Sequence, residues 1–259
     1  MKWLYRIVCA ILVVVMLVSA WKIWSIMSEY KEGEDAYHDI EQFITIPSPT
    51  PAPSDAGAEP SVQPTQDPLT QFPVVDFAAL QQMNSDVVGW IYIPGTHVNY
   101  PIVQGSDNSY YLNRLFTKQW NSAGAIFEDY RNAPDFSDVH SIIYGHRMNN
   151  NTMFHDLKLY GEQDFYEQHS VGYLLTPEGT YMLEFFAGYV SSVDSNAWEL
   201  NLTQGNFDSW VKDQQQRSAF TSLVQPQVGD RVVTLSTCST AFENARFVLH
   251  GVLRQADID

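Results

Sequence analysis

A segment rich in proline, alanine and serine divides this chain into two parts. It covers residues 46–68, reads IPSPTPAPSDAGAEPSVQPTQDP, and contains almost no large apolar side chain. Such a composition cannot bury enough apolar surface to offset the conformational entropy lost on folding, and its prolines favour an extended, semi-rigid chain. We therefore expect residues 29–71 to be a juxtamembrane segment, with a short helix over residues 29–44, followed by a proline-rich linker, and one folded domain over residues 72–259.

An apolar run precedes the linker and predicts a membrane anchor. Residues 7–20 read IVCAILVVVMLVSA, and apolar side chains continue beyond them. Lys2 and Arg6 precede the run and acidic residues follow it, a distribution that places the N-terminus in the cytoplasm and the rest of the chain outside. We expect residues 1–28 to be an uncleaved single-pass signal-anchor in the cell membrane, with the folded domain extracellular. Cleavage after Ala20 is the alternative.

The net charge and the cysteine content restrict the range of possible functions. With 14 Lys and Arg against 30 Asp and Glu, the formal net charge is -16, which argues against nucleic acid as a partner because nucleic acid requires a basic surface. The chain has two cysteines, and Cys9 lies in the apolar run. Cys238 is then the single thiol of the exported part, which cannot form an intrachain disulfide. Such a thiol is buried, paired with another chain or used in catalysis.

Apolar and β-branched runs bounded by turn residues predict many strands after residue 72. They span residues 87–93, 97–103, 125–127, 140–144, 172–176, 181–190, 231–236 and 246–253. Helices are predicted over residues 74–83, with Asp76 as the N-cap, and over residues 207–220, inside a long insertion. Many strands with irregular connections and few helices favour a mainly β fold, a closed or nearly closed β-barrel with helical additions.

Two strand ends carry reactive side chains. One strand reads VVTLSTC and ends on Cys238, with Ser236 on the same face by alternation. Another reads HSIIYGH and ends on His146, while Arg246 begins the strand that follows Cys238 after a turn. A thiolate attacks a carbonyl, an imidazolium protonates the leaving amine and a guanidinium stabilises an oxyanion, so the set suits acyl transfer. His250, on the same strand face as Arg246, is the alternative histidine.

Three sequence elements resemble the active-site signature of the sortase family: TLSTC, YGHRMNN and ARFVLHGVL, at residues 234–238, 144–150 and 245–253. The resemblance covers about residues 72–253, and the helix-bearing insertion before TLSTC is most similar to class B sortases. It implies a sortase-type closed β-barrel with Cys238 as nucleophile, His146 as general acid and base, and Arg246 as the oxyanion-stabilising or substrate-orienting group. Ser236 is the candidate contact for the substrate peptide.

The resemblance also implies a reaction and its partners. A sortase cleaves the C-terminal sorting motif of a secreted protein after its threonine, forms a thioacyl intermediate, and transfers the acyl group to an amine on a cell-wall precursor or a pilin. We expect a class B-like transpeptidase of a Gram-positive cell with a cell-wall peptide as amine acceptor. The alternatives are a pilin-polymerising sortase, a cysteine peptidase with water as acceptor, and a catalytically silent binding module. The sorting motif stays open.

Neither a cofactor nor a metal is expected. Some sortases carry an acidic residue two positions after the cysteine, where this chain has Thr240, so no acidic helper is expected there; Glu243 is expected to be solvated in the loop. The sequence contains no zinc-binding, EF-hand or phosphate-binding motif. One loop is rich in carboxylates, which are expected to be solvated: Glu128, Asp129, Asp135 and Asp138.

Overall fold

The computed structural model describes residues 2–47 and 72–256, so most of the predicted spacer lies outside the described residues. The α-helices of the described part are Lys2–Ile40 (α1), Phe77–Met83 (α2), Gln163–Gln168 (α3) and Phe207–Arg217 (α4). The strands are Ile44–Thr45 (β1), Val74–Val75 (β2), Val87–Tyr92 (β3), Asn99–Gln104 (β4), Ile126–Glu128 (β5), His140–Tyr144 (β6), Val171–Thr176 (β7), Gly179–Ser192 (β8), Val232–Cys238 (β9) and Ala245–Gln255 (β10).

Strands β3 to β10 form a closed barrel in the order β10-β8-β7-β3-β4-β5-β6-β9. Neighbouring strands are antiparallel except for two parallel pairs, β4 with β5 and β6 with β9. The main apolar core includes Trp90, Phe185 and Leu235, which are fully buried. The predicted mainly β fold with a closed barrel is confirmed, and the parallel pair of β6 and β9 brings together the two strands whose ends carry the candidate reactive residues.

Helix α1 is one continuous helix of 39 residues. Its first part exposes apolar side chains, whereas Gly33, Tyr37 and Ile40 near its end are buried. The Tyr37 hydroxyl donates to the backbone carbonyl of Gly124 at 2.7 Å, and a Cβ on Gly33 would lie 3.3 Å from Asn121 Oδ1. The end of α1 is therefore packed tightly against the barrel loops. Of the short helix predicted over residues 29–44, residues 29–40 are part of this longer helix, and residue 44 begins β1.

The folded domain begins before the spacer. Strand β1 pairs with β2, with Ile44 opposite Val75, and the backbone N–H of Asp76 donates to Phe43 O at 2.9 Å. Residues on both sides of the spacer thus share one small sheet. Residues near the end of α1 thus pack on the barrel, and β1 pairs with β2, although both α1 and β1 lie before residue 72, where the sequence predicts the folded domain to begin.

Helix α2 has the cap that the sequence predicts. Asp76 Oδ1 accepts from the backbone N–H of Ala79 at 3.0 Å, which satisfies one of the donors left unpaired in a first helical turn. The helix begins at Phe77, later than predicted, because Val74 and Val75 form β2.

Helix α4 lies in the insertion between β8 and β9 and covers the outer face of the barrel. Its buried residues Phe207, Trp210 and Val211 pack with Phe186 of β8 and Val232 of β9 in a second apolar core. The strands in this region are therefore buried on both faces, which explains why VVTL in β9 is continuously buried. The insertion rests on the strand that carries Cys238.

Candidate active site

Cys238 is the last residue of β9, and its side chain is exposed. It lies opposite Arg246 in the antiparallel ladder between β9 and β10. The predicted turn between these strands is confirmed: Ser239 N–H donates to Ala245 O at 3.0 Å, and Ala245 N–H donates to Phe242 O at 3.2 Å. Because directly opposed residues project to the same side of a sheet, the thiol and the guanidinium emerge on the same side.

His146 reaches the same rim of the barrel from a parallel strand. Tyr144 of β6 is opposite Ser236 of β9, so the C-terminal ends of both strands lie together. The Gly145 N–H donates to Ser236 O at 3.1 Å, which extends the pairing up to the residue before His146. A Cβ at Gly145 would collide with the Ile126 side chain, so only glycine allows this approach.

A backbone carbonyl orients the imidazole of His146. Its Nε2 lies 2.7 Å from Leu112 O, and because a carbonyl oxygen can only accept, Nε2 carries the proton of this hydrogen bond. The neutral ring therefore has its lone pair on Nδ1, which is the nitrogen left to exchange a proton with a thiol. No sequence pattern indicates this role of Leu112, since its carbonyl belongs to a loop distant along the chain.

Cys238 and His146 shift each other's pKa in opposite directions. The interaction with the His146 ring lowers the pKa of the Cys238 thiol against the effect of burial, and the positive charge of Arg246 lowers it further. The interaction with Cys238 in turn raises the pKa of His146, although burial and Arg246 oppose this. Both shifts favour proton transfer from Cys238 to His146, which gives a thiolate that can attack a carbonyl and an imidazolium that can then protonate a leaving group.

A groove of about 410 Å³ contains these three side chains and Ser236. Its remaining lining consists of polar, aromatic and aliphatic residues: Asn108, Leu112, Phe127, Arg131, Tyr144, Gly145, Val193, Trp198 and Thr237. Val193 and Trp198 belong to the insertion that also carries α4. Apolar walls with a few convergent polar groups are typical of a ligand site, and an open groove suits an extended peptide.

The hydroxyl of Ser236 is engaged with the groove wall. Ser236 is 3% exposed, and its Oγ accepts from the indole N–H of Trp198 at 3.2 Å. It therefore helps to hold Trp198, which the sequence did not single out.

His250 lies away from the groove. It is opposite Thr234 in the ladder with β9, is fully buried, and its pKa is lowered by burial. The structure thus brings His146, and not His250, to Cys238. Thr240 and Glu243 lie in the exposed turn that follows Cys238.

Asp129 organises one side of the groove. Its side chain is fully buried, its Oδ1 accepts from Arg131 Nε at 2.8 Å, and its Oδ2 accepts from Asn108 Nδ2 at 2.9 Å and from the Tyr144 hydroxyl at 3.0 Å. Although burial would raise it, these hydrogen bonds, led by that of Arg131, hold the pKa of the carboxyl below its ordinary value. The expectation of a solvated carboxylate was wrong for Asp129, because three groove residues donate to it.

Glu128 is also buried, at 1% exposure. Neither of its carboxyl oxygens has a hydrogen-bond partner among residues 2–47 and 72–256. Burial, reinforced by the negative charges of Asp138, Asp129 and Asp135, raises its pKa to about 9. It is therefore protonated at neutral pH, and the expectation that it is solvated was wrong as well.

Comparisons with known proteins agree with this architecture. A family model described as the sortase domain matches residues 91–254. The chain is 34% identical to sortase B of Listeria monocytogenes over 242 residues, which is 92% of each chain. A crystal structure of sortase B from Staphylococcus aureus matches with a TM-score of 0.66 at 33% identity, covering 70% of this chain and 87% of that one. For sortase B of Bacillus anthracis the TM-score is 0.71 at 31% identity, covering 89% and 100%.

Proposed function

Because the chain belongs to the sortase family, with sortase B proteins among its relatives, we propose that it cleaves a C-terminal sorting motif after its threonine and transfers the protein to an amine of a cell-wall peptide. Membership of the family makes it a cysteine transpeptidase. The observation that carries the proposal is the position of Arg246 opposite Cys238, in a groove that His146 also lines.

Cys238 is the nucleophile of the proposed reaction. Its thiolate attacks the carbonyl carbon of the threonine, a sulfur–carbon bond forms, and the carbonyl oxygen becomes an oxyanion. Arg246 stabilises that charge or orients the substrate. When the intermediate collapses, the carbon–nitrogen bond breaks and His146, as imidazolium, gives its proton to the leaving amine. The donor protein is then held as a thioester on Cys238.

In the second half of the reaction, His146 and Cys238 act in the opposite direction: His146 accepts a proton and Cys238 is the leaving group. The acceptor amine attacks the thioester, neutral His146 takes its proton, and the thiolate leaves as the new carbon–nitrogen bond forms. Sortase B of Staphylococcus aureus has been solved in complex with a substrate, and a sortase B has been solved with triglycine. These complexes support a peptide donor in the groove and a peptide amine as acceptor.

The donor peptide is expected to lie along the wall made by the insertion. Val193 and Trp198 line the groove together with Ser236, so an extended peptide bound there contacts an aromatic face close to the thiol. Ser236 contributes through its hydrogen bond to Trp198.

Helix α1 supports attachment to a membrane. It is long and apolar enough to cross a bilayer, with a mean hydropathy of 2.4 in its most apolar window, no residue of which is buried. Lys2 and Arg6 on one side favour a cytoplasmic N-terminus and an extracellular barrel. Because Ile40 at the end of the same helix is buried in the core, the proposed anchor continues into the catalytic domain without a break.

Incubation of the full-length chain with a library of sorting-motif peptides, with and without triglycine or a diamine, tests the proposal. We expect an acyl adduct on Cys238 by mass spectrometry and a ligated product when an amine is present. Cys238→Ala should form neither, whereas the matched control Cys9→Ser should form both. Hydrolysis alone in the presence of every amine would contradict the transferase function and favour a peptidase.

A further inference from the structure

A chain of hydrogen bonds runs across the outer face of the barrel beneath the insertion. His140 at the start of β6, Thr234 in β9 and His250 in β10 are side by side and almost fully buried. Thr234 Oγ1 lies 2.6 Å from His140 Nε2 and 2.7 Å from His250 Nδ1. At the other side of its ring, His140 Nδ1 lies 2.7 Å from the backbone oxygen of Glu199.

The donor and the acceptor in each of these three hydrogen bonds follow from the last acceptor, which is the backbone carbonyl of Glu199. Burial lowers the pKa of both histidines, that of His140 to about 4, so both rings are neutral. The Glu199 carbonyl can only accept, so His140 carries its proton on Nδ1 and offers a lone pair at Nε2. The Thr234 hydroxyl then donates to His140, and its oxygen accepts from Nδ1–H of His250.

The rings are enclosed by aromatic residues of the insertion and of β8. Trp210 of α4 lies 4.9 Å from the His140 ring and 5.4 Å from the His250 ring, centroid to centroid. Phe186 of β8 is 5.9 Å from the His250 ring. His250 Nε2 is buried and has no hydrogen-bond partner among the described residues. This is consistent with a proton on Nδ1, because an unpaired N–H would cost more than an unpaired lone pair in this apolar setting.

The chain of hydrogen bonds ends on the segment that carries Trp198. His140 donates a hydrogen bond to the backbone carbonyl of Glu199, and Glu199 is the residue directly after Trp198. On the other side of Trp198, the carbonyl of Asn196 accepts from the indole N–H of Trp210 at 2.8 Å. The segment is therefore tied to the barrel on both sides of Trp198 by the same buried cluster, and the Trp198 indole itself donates to Ser236.

We propose that His140, Thr234 and His250 are positioning residues that set the place of Trp198 in the groove and so determine how well the donor peptide binds. The proposal rests on the function proposed above, because it assigns the groove to the donor peptide. None of these three residues lines the groove, and they act through Trp198, so their loss should change KM for the peptide more than kcat. A purely structural role would lower stability and leave the KM of the folded enzyme unchanged.

The protonation pattern is tested on the full-length chain labelled with 15N-histidine in detergent micelles. Long-range proton–nitrogen spectra distinguish the two neutral tautomers. We expect both His140 and His250 to carry the proton on Nδ1, the minor form in free histidine, and to keep it down to about pH 5. A proton on Nε2 of either ring would overturn the proposal. This experiment needs no activity, so it remains decisive if no peptide is transferred and the proposed function fails.

Two substitutions of His140 test its effect on binding. The amide nitrogen of asparagine lies near the place of Nδ1 and can still donate to Glu199 O, whereas the amide of glutamine lies near Nε2 and contacts only Thr234. We expect KM for the donor peptide to rise about tenfold in His140→Gln, the equivalent of one lost hydrogen bond, and distinctly less in His140→Asn, with kcat changed less than KM in both. Equal KM values in the wild type and both variants, with a lowered Tm, would show a purely structural role and overturn the proposal.

Discussion

Arg246 lies opposite Cys238 in the ladder between β9 and β10, and this pairing fixes the position of both side chains at once. Their relative position depends on the register of two paired strands and on the turn between them, and not on the conformation of a long loop. A one-residue slip of β9 against β10 would turn the Cys238 side chain to the face of the sheet opposite Arg246, and β9 has its two faces buried in different cores. The register is therefore strongly specified.

The ionisation of Cys238 depends on His146. In a Cys9→Ser background, which leaves one thiol, we expect His146→Ala to raise the pH midpoint of alkylation by iodoacetamide, because the interaction with His146 is the main cause of the lowered thiol pKa. Alkylation rates from pH 5 to 10, followed by mass spectrometry, give the midpoint. His38→Ala, at an exposed site on α1, is the control; the same midpoint in all three proteins would contradict the prediction.

Arg246 is expected to act through both its charge and its planar fork of donors. We predict that Arg246→Gln lowers kcat/KM about 100-fold to 1000-fold, as expected for the loss of an oxyanion donor, and that Arg246→Lys lowers it by about tenfold because the charge remains. Steady-state transfer of a fluorescent donor peptide to triglycine measures both. Arg254→Gln, in the same strand but ion-paired with Asp230 outside the groove, should keep the wild-type value. Equal losses of kcat/KM in Arg246→Gln and Arg254→Gln would contradict a specific role of Arg246 in the reaction.

Gly145 is expected to be required for the position of His146. In Gly145→Ala, the new Cβ would collide with the Ile126 side chain and lie 2.7 Å from Phe154 Cδ2, so the backbone before His146 must shift. We predict a destabilisation of about 1–3 kcal/mol and a loss of acyl-enzyme formation of about 100-fold or more. Thermal unfolding and the rate of adduct formation check this. Gly161→Ala has no atom within 4 Å of its new Cβ and is the matched control. Similar unfolding temperatures and similar rates of adduct formation in the two variants would contradict the prediction.

Asp129 is expected to hold the wall of the groove. Asp129→Asn keeps one oxygen that can accept and replaces the other with an NH2 group, which faces at least one of the Arg131, Asn108 and Tyr144 donors. We predict a rise of about tenfold in KM for the donor peptide, with a smaller change in kcat, since none of these residues is expected to exchange protons. Asp164→Asn, on the exposed side of α3, is the control. An unchanged KM in Asp129→Asn would show that the wall does not contact the peptide.

Strand patterns, together with the resemblance to sortases, identified the residues that the structure brings together at the rim. Cys238, His146 and Arg246 each lie at the end of a short apolar run, and alternation with the turn after Cys238 placed Arg246 near the thiol. The pairing of β6 with β9 was not predictable in the same way. These strands are far apart along the chain, and their parallel contact depends on the closure of the whole barrel.

The sequence patterns were wrong mainly about which polar residues are buried. Glu128 and Asp129 stand in a polar, charged stretch that is typical of a solvated loop, yet the barrel closes over both of them. The end of α1 was similarly predicted as a separate juxtamembrane helix outside the folded domain, because one face of the helix is charged and the buried face is marked only by Gly33, Tyr37 and Ile40. In both cases the partner surface comes from distant segments, so no local pattern indicates it.

Glu128 makes the stability of the fold depend on pH in a direction opposite to that of an ordinary paired carboxylate. Its pKa is about 9 in the folded protein against 4.5 ordinarily, so the folded state keeps a proton that the unfolded chain releases in between. The corresponding stability is fully present below about pH 4.5 and is lost as pH rises toward 9, with a slope of up to about 1.4 kcal/mol per pH unit. Glutamine cannot ionise, so the Glu128→Gln variant should not lose this stability as pH rises.

The expected result is therefore a difference that grows with pH. Tm of Glu128→Gln, measured on the full-length chain in one detergent, should be close to that of the wild type at pH 5 and higher at pH 7 and pH 8.5. Glu178→Gln, in the exposed turn before β8, should follow the wild type at every pH. A constant difference between Glu128→Gln and the wild type across this range would mean that Glu128 titrates normally, and that a donor or water reaches its buried carboxylate.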